Sequence, residues 1–184
     1  RGLGIELPAD GITVTTGGSE AILFAFLSAF NPGDEILVPE PFYTNYNTMA
    51  HAVGVTIVPI TTTLENGFHL PSDDEIRALI TSNTRGVLLC HPSNPTGTVY
   101  SRDEINRIVE LVKERDLWFI VDEVYREFVF DPAPDHLRSV LELSDLDDRV
   151  IVVDSISKRF SMCGARLGAL VTRNPAISEA ALKL

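Results

Sequence analysis

Short apolar runs rich in β-branched residues recur along the 184-residue chain, and segments of helical pattern separate them. We predict seven strands, at residues 12–15, 35–38, 55–60, 86–90, 117–121, 150–153 and 167–172. Pro59 predicts that its strand lies near an edge of the sheet, and Pro39 and Pro41 are expected to end the second strand. An apolar helix is predicted from Ala21, and a capping box at residues 101–104 predicts a further helix start. Strands that alternate with helices favour a mostly parallel sheet with helices on both faces. The predicted fold is therefore α/β, a three-layer α/β/α sandwich with a mostly parallel seven-stranded sheet. We predict no internal domain boundary between residues 1 and 184.

Charge and composition exclude several classes of partner. The chain has 15 basic and 26 acidic residues and a net charge of -11, which opposes binding to nucleic acid or to an anionic membrane. No apolar run approaches the roughly 18 residues of a membrane helix, and no signal peptide is evident. The two cysteines, Cys90 and Cys163, are too few for a disulfide framework or a zinc site, so we predict no metal and a cytoplasmic location.

Lys158 is the first candidate for chemistry. It follows the buried run at 150–153, at the carboxyl edge of the sheet, where open α/β folds bind their ligands. Partly desolvated there, its amine could lose a proton and attack a carbonyl to form a Schiff base. Ser155 and Arg166 suit a phosphate ester beside that carbonyl. On these residues alone, a solvated basic turn after a strand is an equally good interpretation.

A second candidate site follows the strand predicted at 12–15. There Gly18 and Ser19 lie in a small-residue turn that leads into an apolar helix. Such a turn directs backbone N–H groups and the helix dipole at an anion. A capped helix that binds nothing is the favoured alternative for this motif taken alone.

Three further strand ends carry side chains that suit an aromatic ring. Tyr43 could stack on a ring or could simply pack, and Asn94, held between two prolines, could donate to a phenolate-like oxygen or form an ordinary turn. Asp122 ends the strand at 117–121, where a desolvated carboxylate costs several kcal/mol without a cationic or donor partner. A protonated ring nitrogen, or a lysine or arginine of the protein, would supply that partner. Tyr125 would face the same way in a helical turn.

Five motifs in this order closely resemble the large domain of the fold-type I, pyridoxal-phosphate-dependent class I/II aminotransferases, over nearly the whole chain. The motifs are Thr16-Gly17-Gly18-Ser19-Glu20-Ala21, Pro41-Phe42-Tyr43, Asn94-Pro95-Thr96-Gly97, Asp122-Glu123-Val124-Tyr125, and Ser155-Ile156-Ser157-Lys158 with Arg166-Leu167-Gly168. Each motif alone is weak, but their joint occurrence at successive strand ends is specific.

The resemblance implies a role for each ring-binding residue. Lys158 would form the Schiff base with pyridoxal 5'-phosphate and then act as general base at the substrate's α-carbon. Asp122 would pair with the pyridine nitrogen and keep it protonated. Asn94 and Tyr125 would hold the ring oxygen, and Tyr43 would stack on the ring.

The resemblance also implies a phosphate site and two cis peptide bonds. The phosphate would rest on the amides of Gly18 and Ser19, with Ser155 and Arg166 completing the site. Cis bonds are expected before Pro95 and, by the same resemblance, before Pro41.

The implied activity is amino-group transfer between an amino acid and a 2-oxo acid, in a homodimer. Because the chain opens on Arg1 and closes on a helical pattern at Leu184, we expect it to be a large domain without the N-terminal segment and the small C-terminal domain that help bind substrate. We therefore expect little or no turnover from these 184 residues. Alternatives are a β-lyase, a cyclopropane-forming synthase, or a ligand-sensing domain of a transcription regulator. Tyr125 favours an aminotransferase over a β-lyase.

Overall fold

The computed structural model describes residues 3–133, 135–143, 146 and 148–184. The strands are β1 (Ile12–Thr15), β2 (Glu35–Glu40), β3 (Thr56–Thr61), β4 (Thr84–Cys90), β5 (Trp118–Asp122), β6 (Val150–Ser155) and β7 (Gly168–Thr172). The helices are α1 (Gly18–Ala29), α2 (Asn45–Ala52), α3 (Asp73–Ala78), α4 (Arg102–Arg115), α5 (Ile156–Arg159) and α6 (Pro175–Ala181). All seven predicted strands are present, with ends that differ by a few residues.

The strands form one sheet in the order β1-β7-β6-β5-β4-β2-β3. Neighbouring strands from β6 to β3 are parallel, whereas β7 is antiparallel to both β6 and β1. The predicted mostly parallel sheet is therefore confirmed. Because β7 alone runs the other way, its amino end lies at the same sheet edge as the carboxyl ends of the other six strands.

Two buried cores, one on each face of the sheet, confirm the three-layer arrangement. One core joins the sheet to α1, α2 and α6, with Phe26 and Tyr46 fully buried in it. The other joins the sheet to α4 through Ile105, Ile108 and Val112. The central strands β4 and β5 are buried on both faces, which is why they read as continuous apolar runs.

Proline has different effects on the two strands at one end of the sheet. Pro59 lies in β3, which pairs only with β2, so the predicted edge position is confirmed. Of the two prolines predicted to end β2, Pro41 follows its last residue, Glu40, whereas Pro39 lies inside the strand, so the prediction is wrong for Pro39. Pairing of β2 with β4 extends only from Glu35 to Leu37, so Pro39 interrupts no ladder bond on that side.

The helix starts show where local signals are reliable. The capping box predicted at Ser101 is present, with Ser101 and Glu104 bonded reciprocally at the start of α4. By contrast, α1 begins at Gly18 and not at Ala21, and α2 was not predicted. Within the described ranges, no helix has both the length and the apolar character needed to span a bilayer.

Candidate active site

One pocket brings together every residue that the sequence predicts for a site. The cavity has a volume of about 260 Å³. Its lining includes Gly18, Ser19, Tyr43, Asn94, Asp122, Tyr125, Ser155, Lys158 and Arg166. The parallel strands deliver most of these residues from their carboxyl ends, and the reversed β7 brings Arg166 to the same edge from its amino end. The predicted common location of these motifs is confirmed.

Asp122 is the most deeply buried charged group of the pocket, with only 6% of its surface exposed. The Tyr46 hydroxyl donates to Oδ2 at 2.6 Å, and the Val124 N–H donates to Oδ1 at 3.1 Å. Burial raises the pKa of Asp122, and these two bonds offset part of the rise. Among the described residues no lysine or arginine forms an ion pair with Asp122, so the alternative of a protein cation is not realised there.

Tyr46 is the site residue that sequence reasoning missed. It is one of three aromatic residues that follow β2, with Phe42 and Tyr43, and its position in the sequence assigns it no role. Its side chain is fully buried and stands edge-on to Tyr43, with the ring centroids 5.4 Å apart. A tyrosine predicted in a core needs a partner for its hydroxyl, and that requirement was the available signal.

Lys158 lies on α5, immediately beyond the end of β6. Its Nζ is 6.0 Å from the centroid of the Tyr125 ring. The prediction that Lys158 is partly desolvated is wrong for this chain, because the side chain is exposed. The four-residue α5 lies outside both buried cores and contributes no buried residue, so its lysine keeps contact with water.

A network of ion pairs that includes Arg159 of α5 was also not predicted. Arg126 forms ion pairs with Glu123 at 2.7 Å and with Asp154 at 2.8 Å, and Arg159 forms one with Asp154 at 2.8 Å. The network joins the end of β5 to β6 and to the residue that follows Lys158. It thereby fixes the base of the helix that carries the lysine.

The end of the pocket where the sequence predicts an anion site depends on two close backbone approaches. Gly17 has φ +86°, and a Cβ there would overlap the guanidinium of Arg166. A Cβ on Gly168 would overlap the peptide between Gly17 and Gly18. Arg166 donates to Thr16 O at 3.3 Å and to Cys163 O at 3.0 Å, so its guanidinium lies against the start of α1. The glycines therefore allow the Arg166 guanidinium to lie against the N-terminus of α1. Together these groups form a concave end of the pocket, which we call the cup.

Ser155 and the amides of α1 complete that end. Ser155 caps α5 by accepting from Ser157 N–H at 3.1 Å, and its Oγ lies 3.0 Å from Leu167 O. The first main-chain bond of α1 is donated by Ala21 to Gly17 at 3.4 Å. The N–H groups of Gly18 and Ser19 precede that bond and belong to the turn that lines the pocket.

Asn94 and Tyr43 enter the pocket from proline-rich loops. The expected cis bonds are present at Asn94-Pro95 and Glu40-Pro41, and a third, which was not predicted, occurs at His91-Pro92. Asn45 donates to the Tyr43 hydroxyl at 2.7 Å, which orients the Tyr43 ring. The side chains of Asn94 and Tyr43 are half-buried and remain open to a ligand.

Comparison with known proteins agrees with this geometry. Residues 2–184 match the family described as aminotransferase class I and II. The chain is 35% identical over 180 residues to an aspartate aminotransferase of Streptomyces avermitilis, covering 98% of this chain and 44% of that protein. It is 37% identical over 171 residues to an arginine–pyruvate transaminase of Pseudomonas aeruginosa, covering 93% and 42%.

Solved structures give the same result. The aspartate aminotransferase of Thermotoga maritima superposes with a TM-score of 0.89 at 33% identity, covering 96% of this chain and 46% of that one. The chain thus spans less than half the length of the relatives it matches. With five motifs at one sheet edge, and with the match extending over residues 2–184, the chain belongs to the class I and II aminotransferase family.

Proposed function

We propose that this chain binds pyridoxal phosphate, the cofactor its family uses, in the pocket at the sheet edge. We further propose that the whole protein transfers an amino group between an amino acid and a 2-oxo acid. The observation that carries the proposal is that Lys158 and Asp122 line the same cavity, where Asp122 is buried and forms no ion pair with any lysine or arginine in the described ranges.

The ring end of the pocket fits the cofactor by charge. A buried carboxylate is costly unless a cation or strong donors compensate it, and Asp122 has two donors and no guanidinium or ammonium among the residues described. A protonated pyridine nitrogen would supply the missing charge. Asn94 and Tyr125 would donate to the ring oxygen, and Tyr43 would pack against the ring face.

The other end fits a phosphate. Arg166 and the N-terminus of α1 provide a guanidinium and backbone donors within one glycine-lined cup. Ser19 would add a hydroxyl, whereas the Ser155 hydroxyl is already engaged with Leu167 O and would contribute through its place in the wall. A local cation explains how a chain of net charge -11 could hold a dianion.

The division of chemistry follows from these positions. When bound, the cofactor supplies a ring that withdraws electrons from the substrate's α-carbon. Lys158 would anchor the cofactor through its amine and then move a proton at that carbon. Asp122 would hold the proton on the ring nitrogen. Arg166 and the start of α1 would fix the orientation of the ring by fixing its phosphate.

The oligomer and the location belong to the proposal as well. Several large apolar side chains near pocket residues in the sequence are exposed, namely Phe130, Phe160, Met162 and Leu167. Exposed apolar side chains of this size suit an interface between two copies of the protein, so we propose a homodimer. A cytoplasmic location stays a prediction from composition.

Borohydride trapping tests the cofactor site. The sequence contains three lysines, Lys113, Lys158 and Lys183. After incubation with pyridoxal phosphate and reduction, we expect peptide mass spectrometry to find a stable adduct on Lys158. The Lys158→Ala variant should lose this adduct completely, whereas Lys183→Ala, which changes only an exposed pair with Glu179, should retain it.

An adduct spread evenly over the three lysines would contradict the proposed site. Turnover is a separate question, because the chain covers less than half of its relatives. We expect the 184-residue chain to bind cofactor with little or no transamination. Sustained transamination by this chain alone would show that the second expectation is wrong.

A further inference from the structure

Tyr46 and Asp122 are joined by a short side-chain hydrogen bond, and Asp122 also lines the pocket. The two residues are separated by 76 positions in sequence, and the hydroxyl oxygen lies 2.6 Å from Oδ2. Both side chains are buried, Tyr46 completely. A hydrogen bond of this length to a carboxylate is charge-assisted and about twice as strong as a neutral one.

The other groups around Asp122 show why the bond from Tyr46 matters for its carboxylate. The N–H of Val124, two residues beyond the end of β5, donates a hydrogen bond to Oδ1 of Asp122. Cys90, paired with Asp122 across β4 and β5, has a thiol whose pKa burial raises, so it stays neutral. Asp154 on β6 adds a negative charge that disfavours ionisation of Asp122, and Lys158 reaches the same cavity from α5. Tyr46 is therefore the strongest donor to Asp122 among the described side chains.

The proton of this bond belongs to the tyrosine. Burial, followed by the neighbouring Asp122 charge, raises the pKa of the Tyr46 phenol well above its ordinary value. The hydroxyl therefore remains protonated and acts as a donor. Its ring is fixed by the core on one side and by Tyr43 and Phe42 on the other.

We propose that Tyr46 is a positioning residue, which holds the Asp122 carboxylate ionised and in one orientation before a cationic ring nitrogen arrives. The proposal deepens the proposed function and rests on it for the identity of the ring. It assigns Tyr46 no contact with the cofactor or the substrate. Its effect is exerted through Asp122 alone.

Removal of a single hydroxyl tests the proposal. In the cofactor-free chain, ¹³C NMR should show that the Asp122 carboxyl titrates about one to two pH units higher in Tyr46→Phe, because a bond to the charged form is lost. In the same variant, calorimetry should show roughly tenfold weaker binding of pyridoxal phosphate near pH 7. Tyr100→Phe is the matched control, since Tyr100 is also buried but its phenol interacts with Ser93 and not with Asp122.

Equal titration midpoints and equal affinities for the two tyrosine variants would overturn the proposal. A wild-type chain that does not bind pyridoxal phosphate would instead overturn the proposed function, and the carboxyl titration would still decide the role of Tyr46. Should Tyr46→Phe fail to fold, substitution of all four tyrosines by 3-fluorotyrosine makes each phenol a stronger donor. The Asp122 midpoint should then fall, and an unchanged midpoint would count against the proposal.

Discussion

Asp122 and Glu123 are consecutive acids at the end of β5, and both are buried, yet their surroundings differ. Glu123 is paired with Arg126 and accepts further bonds from Ser139 Oγ at 3.0 Å and Val140 N–H at 2.8 Å. Asp122 faces the pocket and, within the part of the chain that the structure describes, accepts hydrogen bonds from the two donors named above. Consecutive side chains leave a strand in opposite directions, so one residue of offset separates the two environments.

The comparison separates a carboxylate that supports the fold from one that, under the proposed function, would serve a ligand. Burial raises the pKa of Glu123 to about 7, while Arg126, Val140 and Ser139 act in the opposite direction. Burial also raises the pKa of Asp122, but no charged group of the described chain compensates it directly. A buried acid in a cleft without a cation is an expensive arrangement that a cationic ligand can relieve.

The largest predicted effect comes from Asp122→Asn. We expect the affinity for pyridoxal phosphate to fall about a thousandfold, or about 4 kcal/mol, because the cationic ring nitrogen would lose the carboxylate that faces it. The free energy of unfolding without cofactor should stay the same or rise, since the change removes a costly buried charge. Calorimetric binding and urea denaturation measure the two quantities.

Glu123→Gln is the matched control for this prediction. It makes the same chemical change one residue further along, on a side chain outside the pocket lining. The affinity should remain close to that of the wild type. Equal losses of affinity in the two variants would contradict the division between the two acids.

A smaller effect is predicted for the ion-pair network around Arg126. Arg126→Met should lower the free energy of unfolding by about 3 kcal/mol, because it leaves the Glu123 carboxylate buried without its cation. Cofactor affinity should fall far less than in Asp122→Asn. Urea denaturation at pH 7 is the measurement, and Lys183→Met, which breaks only an exposed pair, should leave stability unchanged. A stable Arg126→Met chain would show that the network contributes little to the fold.

The smallest predicted effect concerns the cup at the opposite end of the pocket. Gly168→Ala should cost about 2 kcal/mol of stability, because its Cβ would overlap the Gly17–Gly18 peptide. We also expect weaker binding of inorganic phosphate as the start of α1 moves. Gly164→Ala is the control, since its Cβ would meet nothing within 4 Å, and its stability should change by no more than about 0.5 kcal/mol. Similar stability of the two variants would mean that the approach is not tight.

The accuracy of the sequence predictions varied with the range of the interaction. The seven strands and the capping box at Ser101 depend on residues close together in sequence, and these predictions were confirmed. The end of β2 was wrong because the effect of Pro39 depends on how far β4 pairs beside it. The expected desolvation of Lys158 was not found, because desolvation of this side chain depends on which distant segments cover α5.

By itself the sequence determined the alternating α/β fold and its sheet edge, because periodicity and strand-end position are local properties. It singled out nine residues around one pocket only when five weak motifs were taken together as a resemblance to one family. Only the tertiary structure decided that Tyr46 donates to Asp122 across 76 positions, and that Arg126 joins Glu123 to Asp154. Hydrogen bonds and ion pairs between distant segments depend on the three-dimensional register of strands and helices. No spacing along the chain encodes which of two adjacent buried acids is paired with the guanidinium of Arg126.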